Sequence, residues 1–206
     1  MLRRRLRRAR DHWRLRKQDI NSRWLSLFQR YQGAELVSLD IETTSLDVAK
    51  ANVLSIGAVV IRGNRVLTSE KLSLTIAPPV ELPRESVKVH KLRRIDLDAG
   101  IPLAQALEQL LLFVGNRPIV GYNIAYDVAV LDHHIRPKLG FGLPNTTLDV
   151  MQMYRKKATM SGASEFQLDL SFTAIASALS VPILGRHTAL GDATTTALIY
   201  VRMKCV

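Results

Sequence analysis

The sequence predicts an α/β layered domain built on a mixed β-sheet flanked by helices. Three observations carry that expectation. Strand-like segments come first and then alternate with helical ones. The early strands are joined by a hairpin signal, Gly63-Asn64, which makes them antiparallel neighbours. The later short apolar runs are separated by helices, which favours parallel crossovers.

Taken in order, residues 36–41 form a short apolar run that enters an acidic, Thr-rich turn. Residues 52–61 (NVLSIGAVVI) are β-branched and strand-like. Residues 66–76 alternate through Val66, Thr68, Leu72, Leu74 and Ile76, completing a three-stranded meander. Pro78-Pro79 ends it, and 80–100 reads as a long loop with helical pieces. Residues 102–114 form an amphipathic helix opened by Pro102 and stopped by Gly115. A short buried strand at 118–122 precedes a helix at 125–139 closed by Gly140. Residues 147–157 hold a strand and a helix, 161–165 a loop, and 170–179 and 189–203 the last two helices.

The chain has 206 residues and a formal net charge of +11. Residues 1–33 carry eleven Lys and Arg against Asp11 and Asp19, a net of +9, so the remaining body is nearly neutral. Leu2, Leu6, Ala9, Trp13, Ile20, Trp24, Leu27 and Tyr31 recur at helical steps, and no Gly or Pro interrupts them before Gly33. The expectation is one long basic amphipathic helix, a 1–33 extension on a 34–206 domain. Its apolar stripe packs on the body or on a second copy. Its arginines are open to nucleic acid, an anionic membrane surface or a protein partner. No apolar core follows the arginines, so a secretory signal is not expected, while an Arg-rich transit peptide stays open. No run of about 18 apolar residues predicts a transmembrane helix. A single cysteine, Cys205, excludes an internal disulfide and a multi-thiolate zinc site and fits the reducing cytoplasm.

Three tracts hold residues suited to chemistry. Asp40 and Glu42 stand two apart at the end of a strand, on one face, where paired carboxylates can share a hard divalent cation. Asp127 falls in the first turn of a helix, in Gly121-Tyr122-Asn123-Ile124-Ala125-Tyr126-Asp127. Arg186-His187-Thr188-Ala189-Leu190-Gly191-Asp192 places a loop histidine, able to accept a proton near neutral pH, just before a carboxylate at the start of the last helix. Taken singly, each tract also reads as solvated turn or helix-cap residues.

Together, in this order and with these neighbours, the tracts resemble the three motifs of the DEDD exonuclease superfamily, the group containing the epsilon proofreading subunit of bacterial DNA polymerase III. The His-x-x-x-x-Asp spacing is similar to the subgroup with a catalytic histidine. The resemblance covers about 34–203 and implies a ribonuclease H-like fold. It implies that Asp40, Glu42, Asp127 and Asp192 bind two divalent ions, Mg²⁺ or Mn²⁺, with His187 as general base. It further implies 3′–5′ hydrolysis of single-stranded DNA or frayed ends, giving nucleoside 5′-monophosphates. Thr43, Thr44 and Leu46 would meet the 3′ end, with Asn123 and His90 as further substrate or structural contacts. Asp149, His133 and His134 receive no role. Ser45 and Tyr122 stand where many members carry Gly and His, which bears on the shape of the 3′-end pocket. RNA trimming by the same chemistry, and an inactive nucleic-acid-binding scaffold, are the competing readings.

Overall fold

The computed structural model describes residues 2–17, 19–79, 87, 91–162 and 168–205, and for 2–5, 17 and 19–22 the backbone alone. The expected α/β architecture is present. Strands β1 (Glu35–Thr43), β2 (Val53–Arg62) and β3 (Arg65–Thr75) form the antiparallel meander. Strands β4 (Ile119–Gly121) and β5 (Thr147–Asp149) extend the sheet in parallel with β1, giving the order β3-β2-β1-β4-β5. The mixed sheet thus has β1 at its centre.

Helices cover both faces. They are α1 (Leu2–Lys17), the short α2 (Arg94–Leu97), α3 (Leu103–Val114), α4 (Ile124–Leu139), α5 (Val150–Met160), α6 (Phe172–Ala178) and α7 (Ala189–Cys205). Gly140, at φ +75°, closes α4 by donating its N–H to the Arg136 carbonyl, as the sequence predicts.

Central position explains the burial of β1. Val37, Leu39 and Ile41 alternate onto a core shared with α3, α4 and the aromatic pair Trp24 and Phe141. Ser38 lies on the opposite face, where its hydroxyl donates to the Ala193 carbonyl of α7 at 2.7 Å. Strand alternation carries Asp40 and Glu42 onto that same face. Helix α7 comes unusually close to β2. A Cβ on Gly57 would stand 2.1 Å from the backbone of Ala189 and Leu190. Glycine therefore sets how near α7 stands to the carboxylates of β1.

The N-terminal segment differs from the expected single helix. α1 ends at Lys17, and Asp19–Phe28 follows as a 3-10 segment. Crowded like charges weaken α1, and Asp19, Asn21 and Ser22 are poor helix formers. The expected stripe also divides. Trp24 and Leu27 are buried in the main core, but Leu6 and Trp13 are 63% and 58% exposed. The buried face of α1 instead holds Asp11 and Leu15.

Candidate active site

Three carboxylates converge where β1 ends. Asp40, Glu42 and Asp192 each offer an oxygen within 4.8 Å of the others, the only such group of three possible metal ligands among the described residues. Two come from alternate positions of β1, and the third from the first turn of α7. Asp127 reaches the same region from α4 and is buried. Its Oδ1 accepts the Ile41 N–H at 3.1 Å, which pins it to the strand between Asp40 and Glu42.

Packing these acids together is costly unless they are protonated or matched by cations. Burial is the main cause of a pKa for Asp40 well above the usual carboxylate range, reinforced by Asp127, Glu42 and Asp192. Burial, then Asp192, raises Glu42 to about 7. Burial raises Asp127 to about 7 as well, against the hydrogen bonds of its own N–H and that of Ile41. Asp192 is raised by burial, with Arg186 opposing.

Arg186 is a contributor to which the sequence alone assigns no role. Its Nη1 lies 2.5 Å from Asp192 Oδ2, and the guanidinium sits over the Phe172 ring, 4.6 Å from its centroid. Its charge also lowers the pKa of Asp40 and Glu42. The available signal was a cation directly before His187 in the third tract. His187 follows at φ +64°, and its backbone N–H donates to Asp192 Oδ2 at 3.3 Å. The other oxygen, Asp192 Oδ1, is buried with no hydrogen-bond partner.

The expected substrate residues fall into distinct places. The Thr43 hydroxyl lies 2.6 Å from the Tyr126 hydroxyl, and Tyr126 also donates to the Ser45 carbonyl. Thr44 is buried and exchanges two 3.0 Å hydrogen bonds with Asn52, so it braces the turn. Leu46 is 87% exposed, so it supports no core. Among the described residues the positive-φ positions outside glycine are Lys91, Asn123, Ser180 and His187, so Ser45 fits its turn without strain.

Asn123 is exposed in a left-handed conformation at the start of α4, its N–H donating to Asp149 Oδ1 at 3.2 Å. Asp149 also accepts from Met151 N–H and caps α5, a structural role consistent with its exclusion from the ligand set. Tyr122 donates to the Leu170 carbonyl and packs edge-on against Phe172, beneath Arg186. His133 is exposed, and His134 hydrogen-bonds the Ala51 carbonyl. His90 lies outside the described residues.

The donor set fits a hard divalent cation. All the converging atoms are carboxylate oxygens, their charge is under-compensated, and one buried oxygen has no hydrogen-bond partner. Such a site can hold metal against a phosphodiester, and His187 stands at its rim.

The family model described as "RNase_T: Exonuclease" matches residues 37–200. The DNA polymerase III subunit epsilon of Aquifex aeolicus is 27% identical over 167 residues, which are 81% of this chain and 79% of that protein. The corresponding subunit of Rickettsia typhi is 28% identical over 174 residues, covering 81% and 72%. Among solved structures, cell-death related nuclease 4 (CRN-4) superposes with a TM-score of 0.71 at 17% identity, over 84% of this chain and 64% of that one. Exonuclease I of E. coli in complex with a dT13 oligonucleotide gives 0.69 at 15%, over 82% and 40%. The chain thus spans less than two thirds of these two structures, and the likeness to them is one of fold.

Proposed function

The chain belongs to the exonuclease family whose model spans residues 37–200, and on that premise we propose that it hydrolyses single-stranded DNA stepwise from the 3′ end, releasing nucleoside 5′-monophosphates. The observation that carries this reading is the convergence of Asp40, Glu42 and Asp192 at the end of β1. Exonuclease chemistry breaks phosphodiester bonds, and the acidic cluster suits divalent-metal use. Asp40, Glu42 and Asp192, with Asp127 beside them, would hold two such ions. Bound divalent ions would supply charge stabilisation for the attacking and leaving oxygens.

The remaining roles belong to the chain's own groups. His187 takes the proton of the attacking water at its ring nitrogen. Its backbone N–H, bonded to Asp192 Oδ2, supports this role by holding the residue next to the cluster. Arg186 offsets the acids until cations bind. Thr43 and Thr44 shape the turn that receives the terminal nucleotide, and exposed Leu46 is placed to contact its base. Asn123, in the left-handed cap of α4, keeps that helix and Asp127 oriented. Residues 34–206 form the catalytic domain and 1–33 an accessory segment, in keeping with a family match that begins at 37. Support for a single strand comes from the exonuclease I fold relative solved with dT13.

Incubation of 3′- and 5′-labelled DNA and RNA strands with Mg²⁺ or Mn²⁺ tests the reading. A ladder shortening from the 3′ end of DNA, faster than on matched RNA, is expected. Intact strands with every metal across pH would overturn it. Faster trimming of RNA would reassign the substrate.

A further inference from the structure

The ion pairs between α1 and α4 define a register. Arg7 Nη2 lies 2.5 Å from Asp132 Oδ2, and Arg136 Nη2 lies 3.0 Å from Asp11 Oδ2. Each pair joins residues 125 apart in sequence, and the two pairs are one helical turn apart on both helices. The helices therefore run side by side in the same direction. The same register extends to the far end of α4, where Arg14 and Leu15 border a cavity with Leu139 and Gly140. The helix pair is well anchored. Asp11 is 2% exposed, Asp132 Oδ1 accepts the buried Leu143 N–H, and Arg8 Nη2 donates to the Phe28 carbonyl.

Followed the other way, the register leads to the carboxylates. One turn before Arg7 and Asp132 stand Arg3 and Val128, and Val128 is next to Asp127. At 1.5 Å per residue, Asp127 lies about 7.5 Å along α4 from Asp132, and Arg3 about 6 Å along α1 from Arg7. The backbone of Arg3, Arg4 and Arg5 is therefore level with the catalytic end of α4. A groove of about 830 Å³ spans the interval, bordered by Ile124, Ala125, Val128 and Ala129, with Val48 from the turn after β1 at one wall and Arg7 at another.

We propose that α1 is a phosphate rail for the single strand 5′ of the nucleotide being removed. The inference rests on the exonuclease reading above. Charge complementarity selects the occupant. α1 holds eight Arg and one Lys against one acid, Asp11, which is buried and bridged by Arg136. Arg10, Arg14 and Arg16 are exposed along the helix. The groove itself is balanced, because Asp132 and Asp149 oppose Arg7 and Arg136, so the phosphates are assigned to the helix. The nearly neutral body supplies little long-range attraction for a polyanion. The segment also precedes the family match, so the rail is an addition to the shared domain.

Fluorescence anisotropy of 5′-labelled dT3 and dT15, in EDTA and at several salt concentrations, tests the rail without turnover. The variant is Arg3→Gln/Arg4→Gln/Arg5→Gln/Arg10→Gln/Arg14→Gln/Arg16→Gln in the full chain. It leaves the anchors Arg7 and Arg8 intact, and a thermal melt checks its fold. Wild type should bind dT15 at least tenfold more tightly than dT3, and in the variant that ratio should collapse toward one. The slope of log K against log salt should fall by about 0.7 for each phosphate that the variant no longer neutralises. An unchanged ratio and slope overturn the proposal. So does salt-sensitive sedimentation of wild type with phosphatidylserine vesicles that the variant loses while keeping its dT15 affinity, because that assigns α1 to a membrane. Failure of the exonuclease reading is distinct: no strand is shortened in Mn²⁺ while the length-dependent affinity persists.

Discussion

Arg186 is ion-paired to Asp192, with Nη1 and Oδ2 2.5 Å apart, so a protein cation already sits against one of the three clustered carboxylates. The pair is partly open, Asp192 being buried and Arg186 about one-third exposed. Divalent cations must compete with Arg186 for Asp192 Oδ2. Arg186→Gln should therefore tighten Mn²⁺ binding several-fold in calorimetry and destabilise the metal-free protein by about 1–2 kcal/mol at pH 8, less than a fully buried pair would cost. Unchanged Mn²⁺ affinity would show that the guanidinium does not compete.

The same acids set a pH dependence for the metal-free fold. Glu42 and Asp127 are raised to about 7 from ordinary values of 4.5 and 3.8. Between those limits the unfolded chain has lost protons that the fold retains, so folding takes them up. Their contribution is complete below the ordinary values, is lost as pH rises through 7, and is flat above. One pKa unit is worth about 1.4 kcal/mol, so a loss of at least about 3 kcal/mol is expected. In EDTA the urea midpoint should fall from pH 5.5 to pH 8, and Mg²⁺ should restore it. Glu42→Gln should raise the pH 8 midpoint in EDTA and abolish turnover. A midpoint that does not move with pH in EDTA counts against this electrostatic picture.

How far the sequence disclosed this site depends on the range of each interaction. Asp40 and Glu42 were legible because a strand repeats every two residues, and β1 keeps that repeat. The meander followed from Gly63-Asn64, and the C-terminal end of α4 from Gly140. Arg186 was not legible in its role. Its placement depends on a turn with Gly185 at φ +54° and His187 at φ +64°, and on Phe172 from another helix. The stripe in α1 misled for a related reason. Leu6, Ala9 and Trp13 have helical spacing, but partners 125 residues away chose the Arg7–Asp11–Leu15 face.

His187 combines a chemical expectation with a backbone constraint. Its left-handed φ costs a non-glycine residue about 1–2 kcal/mol. His187→Gly should therefore be at least as stable as wild type, and His187→Asn close to it. Both remove the proton acceptor, and turnover at neutral pH should drop roughly 10²–10⁴-fold. Stable variants with reduced turnover separate the ring's role from the fold's needs. Near-wild-type turnover in either would refute His187 as the base.

Leu46 offers the converse test, a large apolar side chain with no core to support. At 87% exposed, its truncation creates no cavity, so Leu46→Ala should change stability by no more than about 0.5 kcal/mol. A core leucine such as Leu39 should cost about 2–5 kcal/mol when cut back in the same way. If Leu46 packs on the terminal base, the loss appears in substrate affinity. Burial of a leucine is worth about 1.5–3 kcal/mol, so partial burial against a base predicts roughly a tenfold rise in KM with kcat nearly constant. Steady-state kinetics on dT15 beside urea melts give both readouts. A silent KM would leave the exposed leucine without a role at the 3′ end.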